Sequence, residues 1–197
     1  MDVQALRPSN YIVNKCDGRA QMTSTGIDLS RYIGSIPDWP KKGILFRDIM
    51  PVLADPAALV KAVDALCADF SESGIDYVAA VEARGFIFGV AVAVKLGVGF
   101  VPIRKKGKLP GQTESITYDL EYGTDTLEIQ RGAIKSGSKV LMVDDLLATG
   151  GTMAAACKLI EKIKGRIVGI TFLVELADLH GREKLADFKI TSVVTYN

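Results

Sequence analysis

The segment 139–152 constrains the fold more than any other part of the chain. It runs from four apolar residues (Val140, Leu141, Met142 and Val143) through two adjacent acids (Asp144 and Asp145) into a turn of small residues, Ala148, Thr149, Gly150, Gly151 and Thr152. An uninterrupted apolar run of this length reads as a strand buried on both faces, the situation of a parallel strand covered by helices. The turn that follows offers backbone N–H groups and two hydroxyls where the next helix presents its positive end, an arrangement that holds phosphate. Carboxylates would repel that same phosphate. Their target is therefore something else: vicinal sugar hydroxyls, which donate hydrogen bonds to carboxylates, or a bound Mg²⁺. A 5-phosphorylated ribose satisfies both halves of the motif.

The rest of the chain repeats the strand-then-helix pattern. Asp55 followed by Pro56 is an N-cap with Pro at the first helical position, and Leu59, Val63, Leu66, Cys67 and Phe70 fall on one helical stripe before Gly74. Residues 77–81 read as a buried strand and residues 84–95 as a helix closed by Gly97. Residues 98–103 read as a further strand. After 140–143 comes a helix over 152–164 with Met153, Cys157, Ile160 and Ile163 facing inward, then a strand over 167–174. The fold class is α/β with a central parallel sheet flanked by helices. The organisation is one domain over 26–197 behind a polar, aperiodic extension over 1–25, in which Met22 would serve equally as a start. Between 105 and 126 the periodicity lapses into Gly, Pro, Thr, Ser and acid. So long an irregular stretch points to a functional lid or hairpin.

Open α/β sheets bind ligands beyond the carboxyl ends of their strands. The chemistry-bearing residues follow that rule: Glu82, Ala83 and Arg84 come after one strand, Arg104, Lys105 and Lys108 after the next, and the acidic phosphate loop after the third. Other classes are excluded. Gly97 and Gly99 lead into a strand, with Pro102 where a dinucleotide fingerprint needs its last glycine, and no GxxxxGK[ST] is present. Lys and Arg total 24 against 23 acids, a formal charge of +1, which leaves no general field for nucleic acid. The lone His180 and three scattered cysteines (Cys16, Cys67, Cys157) make no zinc set. Their number and spacing suit a reduced cytoplasm, and no apolar run reaches membrane-spanning length.

The acidic phosphate loop resembles the phosphoribosyl pyrophosphate (PRPP) loop of the type I phosphoribosyltransferases, and the chain from about Ile36 to Val174 resembles the adenine-using members of that family. The segment from Pro37 to Asp48 is similar to their base-binding hood, set at about 30–50, in which Phe46 stacks on the purine and the main chain at Leu45 and Arg47 reads its edge. The resemblance implies that Asp144 and Asp145 bind the ribose hydroxyls and that Ala148 to Thr152 hold the 5-phosphate. It assigns Arg84 and Arg104, with Glu82, Ala83, Lys105 and Lys108, to the pyrophosphate end. In that family the peptide before this Arg, here Glu82–Ala83, can be cis, which the sequence leaves open. Where the similar 6-oxopurine enzymes carry an Asp near the purine N7, this chain has Ala148. The adenine enzymes place a Glu on the mobile loop instead, and Leu120-Glu121-Tyr122-Gly123 matches that element, which makes Glu121 a catalytic candidate.

The reaction implied is adenine plus PRPP giving AMP and pyrophosphate, with Mg²⁺ bound through PRPP oxygens and water and with no direct protein ligand assigned. A homodimer is implied, with no nucleic-acid or membrane partner. Two alternatives stand beside it: a phosphoribosyltransferase for xanthine or orotate, and a PRPP-sensing regulator. The regulator would need a DNA-binding segment, and residues 1–35 lack a helix-turn-helix pattern.

Overall fold

The computed structural model describes residues 13–16, 19–22, 26–119 and 123–197. The chain divides into two compact units, residues 1–62 and 63–197. In the first, β1 (Val13–Cys16) and β2 (Arg19–Met22) pair antiparallel, so part of the segment read as an aperiodic extension is a hairpin. A 3₁₀ turn, Leu29–Tyr32, is capped by Asp28, whose side chain accepts from the Ser30 N–H. Next, β3 (Gly34–Pro37) and β4 (Leu45–Asp48) form a second antiparallel hairpin with Ser35 opposite Arg47 and Ile36 opposite Phe46. α1 (Met50–Ala54) follows. α2 (Pro56–Cys67) begins where the sequence places it, with Asp55 Oδ1 accepting from the N–H groups of Ala57 and Ala58 at 3.0 and 2.8 Å. Such a cap stabilises a helix by about 1 kcal/mol.

The second unit holds β5 (Tyr77–Val81), α3 (Arg84–Leu96), β6 (Gly99–Lys105), β7 (Thr113–Asp119), β8 (Thr124–Gln130), β9 (Lys139–Leu147), α4 (Gly151–Lys162), β10 (Arg166–Leu176) and β11 (Ile190–Tyr196). Their sheet runs β11-β10-β9-β5-β6-β8-β7; the first five strands are parallel and the last two turn antiparallel. The parallel part needs cover on both faces and gets it. Ala79, Val81, Val140, Met142, Ile170 and Phe172 pack with Met153, Ala156, Cys157 and Ile160 of α4, while the alternate residue Ala80 meets α3 at Gly89. A methyl on Gly89 would run into Ala80 and Phe100, so this glycine sets how closely α3 approaches the sheet. Gly97, at φ 68°, closes α3 in the left-handed conformation.

From β5 the chain crosses through α3 to β6 on one side, then returns to place β9 on the other. β5 and β9 therefore flank the point where the winding reverses, and a crevice opens beyond their carboxyl ends. The α/β fold with a central parallel sheet agrees with the sequence reading, with two corrections and one alternative resolved. β9 continues to Leu147, pairing Asp144 with Phe172 and Leu146 with Val174, so both acids lie within the strand. β6 likewise reaches Lys105 and carries Arg104 inside it. The lapse over 105–126 is mostly the β7–β8 hairpin, with Thr113 opposite Gln130 and Asp119 opposite Thr124; its alternating polar and apolar residues fit a half-exposed antiparallel pair better than a loop.

Candidate active site

Three acids dominate the crevice: Glu82, just after β5, and the adjacent pair Asp144 and Asp145 inside β9. At the end of β5 stands Glu82, whose side chain is only 7% exposed. Its Oε1 accepts from the Lys105 backbone N–H at 2.6 Å, and its Oε2 meets Arg104 Nη2 at 3.0 Å and Lys108 Nζ at 3.2 Å. Arg104 also donates through Nη1 to the Lys108 carbonyl at 2.9 Å. Burial alone would raise the Glu82 pKa, but the Lys105 N–H and the two cations hold it below the ordinary carboxylate value. Glu82, grouped from sequence with the pyrophosphate ligands, is thus the organiser of the basic cluster, its acceptor atoms already turned to protein donors. Lys105 points elsewhere, its Nζ 3.0 Å from Asp125 of β8.

Inside β9, Asp144 and Asp145 are adjacent. Asp144 is crowded by protein, and its Oδ1 accepts from the Asp145 N–H at 2.9 Å. Loss of water, then the neighbouring charge of Asp145, push its pKa well above the usual carboxylate range. Asp145 is raised too, by burial, with the Arg84 charge opposing. Arg84, the first residue of α3, brings Nη2 to 2.7 Å from Asp145 Oδ2, yet that oxygen accepts no hydrogen bond from the described residues. Gly85 lets α3 start this close, since a methyl there would strike the Asp144 carboxylate. The peptide between Glu82 and Ala83, whose isomer the sequence left open, is cis.

Beyond the acids, Ala148 to Thr152 and Arg84 line a cavity of about 180 Å³ with Asp144 and Asp145. Gly150, at φ 75°, is the N-cap of α4, and no side chain caps the helix, so its first N–H groups face this cavity's phosphate loop. Tyr118 Oη of β7 lies 3.3 Å from Thr152 Oγ1. The loop is backed by a segment in which sequence reasoning found no part of the site. The Gly181 carbonyl lies where a methyl on Gly150 would sit, and a methyl on Gly181 would meet the Ala148 carbonyl. No side-chain signal marks this contact; only the glycines themselves hint at it.

Within the first unit, Phe46 is half-buried and packs edge-on to Trp39, ring centroids 4.4 Å apart. Trp39 and Leu45 are about half exposed, at 51% and 47%, so this hairpin offers aromatic and apolar surface instead of closing as core. Arg47 Nη1 donates to Ser35 Oγ across the hairpin at 2.5 Å. Leu120, Glu121 and Tyr122 lie outside the described residues. The sequence-predicted groups of the second unit thus fall into an acid-and-phosphate-loop set at β9–α4 and a basic set held by Glu82 at β5–β6. Arg84 links the first to the start of α3. Among the described residues, no three metal-binding side chains cluster.

Residues 53–197 match the phosphoribosyl transferase domain family. The chain is 53% identical over 171 residues to the adenine phosphoribosyltransferase of Clostridium perfringens, an alignment covering 87% of this chain and 99% of that protein. Among solved structures it is similar to the adenine phosphoribosyltransferase of Rhodothermus marinus (47% identity, TM-score 0.82, 85% of this chain and 96% of the other). It is also similar to the Giardia lamblia enzyme complexed with 9-deazaadenine (41% identity, TM-score 0.82, 86% and 97%). The family match runs through residue 197, so the tail beyond Asp178, which carried no resemblance in the sequence reading, belongs to the family domain.

Proposed function

The chain belongs to the adenine phosphoribosyltransferase family, and from that premise we propose that its crevice transfers the 5-phosphoribosyl group of PRPP to N9 of adenine, giving AMP and pyrophosphate for purine salvage. One observation carries the reading: a crowded acid pair, with a buried oxygen lacking a hydrogen-bond donor, stands directly before an uncapped helix start. Ribose hydroxyls supply the donors that Asp145 Oδ2 lacks, and the 5-phosphate takes the N–H groups of 150–152. The pyrophosphate would then meet Arg84, Arg104 and Lys108, with Glu82 fixing the last two.

Breaking the C1–O bond of PRPP builds positive charge on the ribose ring and negative charge on the leaving pyrophosphate. The residues proposed here bind and orient; none forms a covalent bond. The cations are proposed to neutralise the leaving group and the acid pair to fix the ring, with Phe46, Leu45 and Arg47 proposed as the adenine-binding residues. Glu121, which lies outside the described residues, is proposed to share a proton with the purine N7, a contribution typically worth 10²- to 10⁴-fold in rate. Glu121→Leu should then lower kcat far more than it raises the KM for PRPP; unchanged kcat would remove it from the mechanism. Mg²⁺ is proposed to enter on the PRPP oxygens, where it adds charge neutralisation. The donor set fits that role, because one acid of the pair already faces Arg84 and no third carboxylate joins them among the described residues.

A homodimer is proposed, supported by the exposed apolar row Ile87, Val90 and Val94 on α3, with Val94 77% exposed. A cytoplasmic setting is supported by free, buried Cys67 and Cys157. Pyrophosphate release from PRPP with a panel of bases tests the central claim. Adenine should be the preferred base; comparable turnover of hypoxanthine, guanine, xanthine or orotate would overturn the base assignment, and PRPP binding without turnover would favour the regulator.

A further inference from the structure

We propose that Lys184 is a binding residue for the 5-phosphate, delivered to the phosphate loop by the C-terminal turn. The inference rests on the reading of 148–152 as a phosphate site and adds to it a residue far away in sequence. Lys184 Nζ lies 4.0 Å from where a methyl on Gly151 would stand, at the uncapped start of α4. Lys184 and Gly151 also line a cavity of about 320 Å³, together with Tyr118, Asp119 and Lys158, which shares Gly151 with the separate 180 Å³ cavity of the phosphate loop.

The turn that carries Lys184, Gly181–Leu185, is fixed at both ends. Arg182 forks onto Glu175 at the end of β10, Nε to Oε1 at 2.6 Å and Nη2 to Oε2 at 2.7 Å, and adds longer contacts to the Ile190 carbonyl and Ser192 Oγ at 3.3 Å. A bidentate pair of this kind fixes orientation as well as distance. One residue before it, Gly181 abuts Gly150, and Leu185 is buried at the far end. The turn is therefore held against the loop from behind, and Lys184 is presented in register with the first turn of α4.

Charge supports the assignment, Lys158 being a second lysine of the same cavity without an ion pair among the described residues. Arg182, Lys105 and Lys162 each sit within salt-bridge distance of a carboxylate, at Glu175, Asp125 and Glu114 respectively. Lys184 forms no ion pair or hydrogen bond with the described residues. An unpaired ammonium beside unsatisfied helical N–H groups is complementary to a phosphate dianion, which the helix end alone holds only in part. Because Lys184 is exposed, solvent screens it and its share of the affinity is modest.

Lys184→Gln and Lys184→Arg, in the full chain, separate a phosphate contact from a structural one. Ligands that carry the 5-phosphate (AMP and ribose 5-phosphate) are titrated beside ligands that lack it (adenine and inorganic pyrophosphate), at low and high salt. Lys184→Gln should weaken AMP and ribose 5-phosphate by roughly three- to tenfold at low salt and less at high salt. Adenine and pyrophosphate should be unaffected and Lys184→Arg close to the parent, with the KM for PRPP rising more than kcat falls. Unchanged ribose 5-phosphate affinity in Lys184→Gln overturns the proposal, as does equal weakening of all four ligands, which marks a damaged loop. If the parent binds ribose 5-phosphate through Lys184 but forms no AMP from adenine and PRPP, the Lys184 site stands and the assigned reaction falls. A parent that binds no 5-phosphate ligand overturns both.

Discussion

Two acids of neighbouring parallel strands, Glu82 just after β5 and Asp144 within β9, are in opposite situations. Glu82, after β5, has an N–H and two cations around its carboxylate and a lowered pKa. Asp144, within β9, has lost water, faces a second carboxylate and has a raised pKa. One is satisfied before any ligand arrives; beside the other, Asp145 Oδ2 is left without a donor that the proposed ribose hydroxyls would supply. The contrast separates scaffolding from ligand recognition, although both residues are acids at the same edge of one sheet. A buried group whose needs are met stabilises the fold, whereas one left short stores that deficit for binding.

The sharpest way to break the contrast is Asp144→Asn combined with Asp145→Asn. Each lost charged hydrogen bond to ribose costs about 1.5–3 kcal/mol, so kcat/KM for PRPP should fall on the order of 10²- to 10⁴-fold. The melting temperature of the ligand-free protein should not fall with it. Steady-state kinetics beside thermal melts give both numbers, and a large drop in melting temperature would place Asp144 in the same role as Glu82.

Glu82→Gln is expected to behave the other way round. It leaves Arg104 and Lys108 without their counter-charge, costing about 1–3 kcal/mol of stability, visible in denaturant unfolding without ligand, with weaker pyrophosphate binding as a second effect. Undiminished stability would mean that the Glu82 network is only a surface arrangement.

The pH profiles should slope in opposite senses. The stabilisation from Glu82 is present above its unfolded value of about 4.5 and is lost as pH falls through its lowered folded value. Asp144, with a raised folded value, favours the folded state when protonated, and that contribution fades as pH rises from about 3.8 through the raised value. Melts of Glu82→Gln should therefore lose part of the parent's acid sensitivity, while Asp144→Asn should gain stability relative to the parent as pH rises toward neutral. Parallel curves for the two variants would erase the distinction.

The smallest effect is expected from the hairpin. Phe46→Ala should raise the KM for adenine by about fivefold, the equivalent of ~1 kcal/mol of lost stacking, and leave both acids' pH behaviour unchanged. An unaltered adenine KM would take Phe46 out of base recognition.

Much of the acid-and-phosphate half was legible in the sequence, because adjacent residues carry it: a strand, two acids and a small-residue turn follow one another within 139–152. β5 was legible to the residue, and α3 with its Gly97 cap to within one residue of its end, since apolar run and glycine coincide there. What escaped was built across the chain. The role of Glu82 depends on groups 22 to 26 residues away, brought to it by the pairing of β5 with β6. β9 outran its apolar stretch because ladder bonds to β10 continue through polar residues, and periodicity reports side chains, not ladders. The β7–β8 hairpin stood only as one of two readings of 105–126, because polar alternation in a pair with one exposed face gives a weak signal.

The contact of Gly181 with the phosphate loop bears on how this chain tolerates change. In a scan of every substitution at every position, Gly150 would be intolerant because its backbone is left-handed and its neighbour leaves no space. Gly181 would score alongside it, since any side chain there pushes on the Ala148 carbonyl and through it on the loop. On such a map position 181 would carry the signature of a ligand-contacting residue although it touches only the back of the site. An activity-ranked list of sensitive positions would thus count Gly181, about 30 residues beyond the phosphate loop, as part of the catalytic centre on the strength of packing alone.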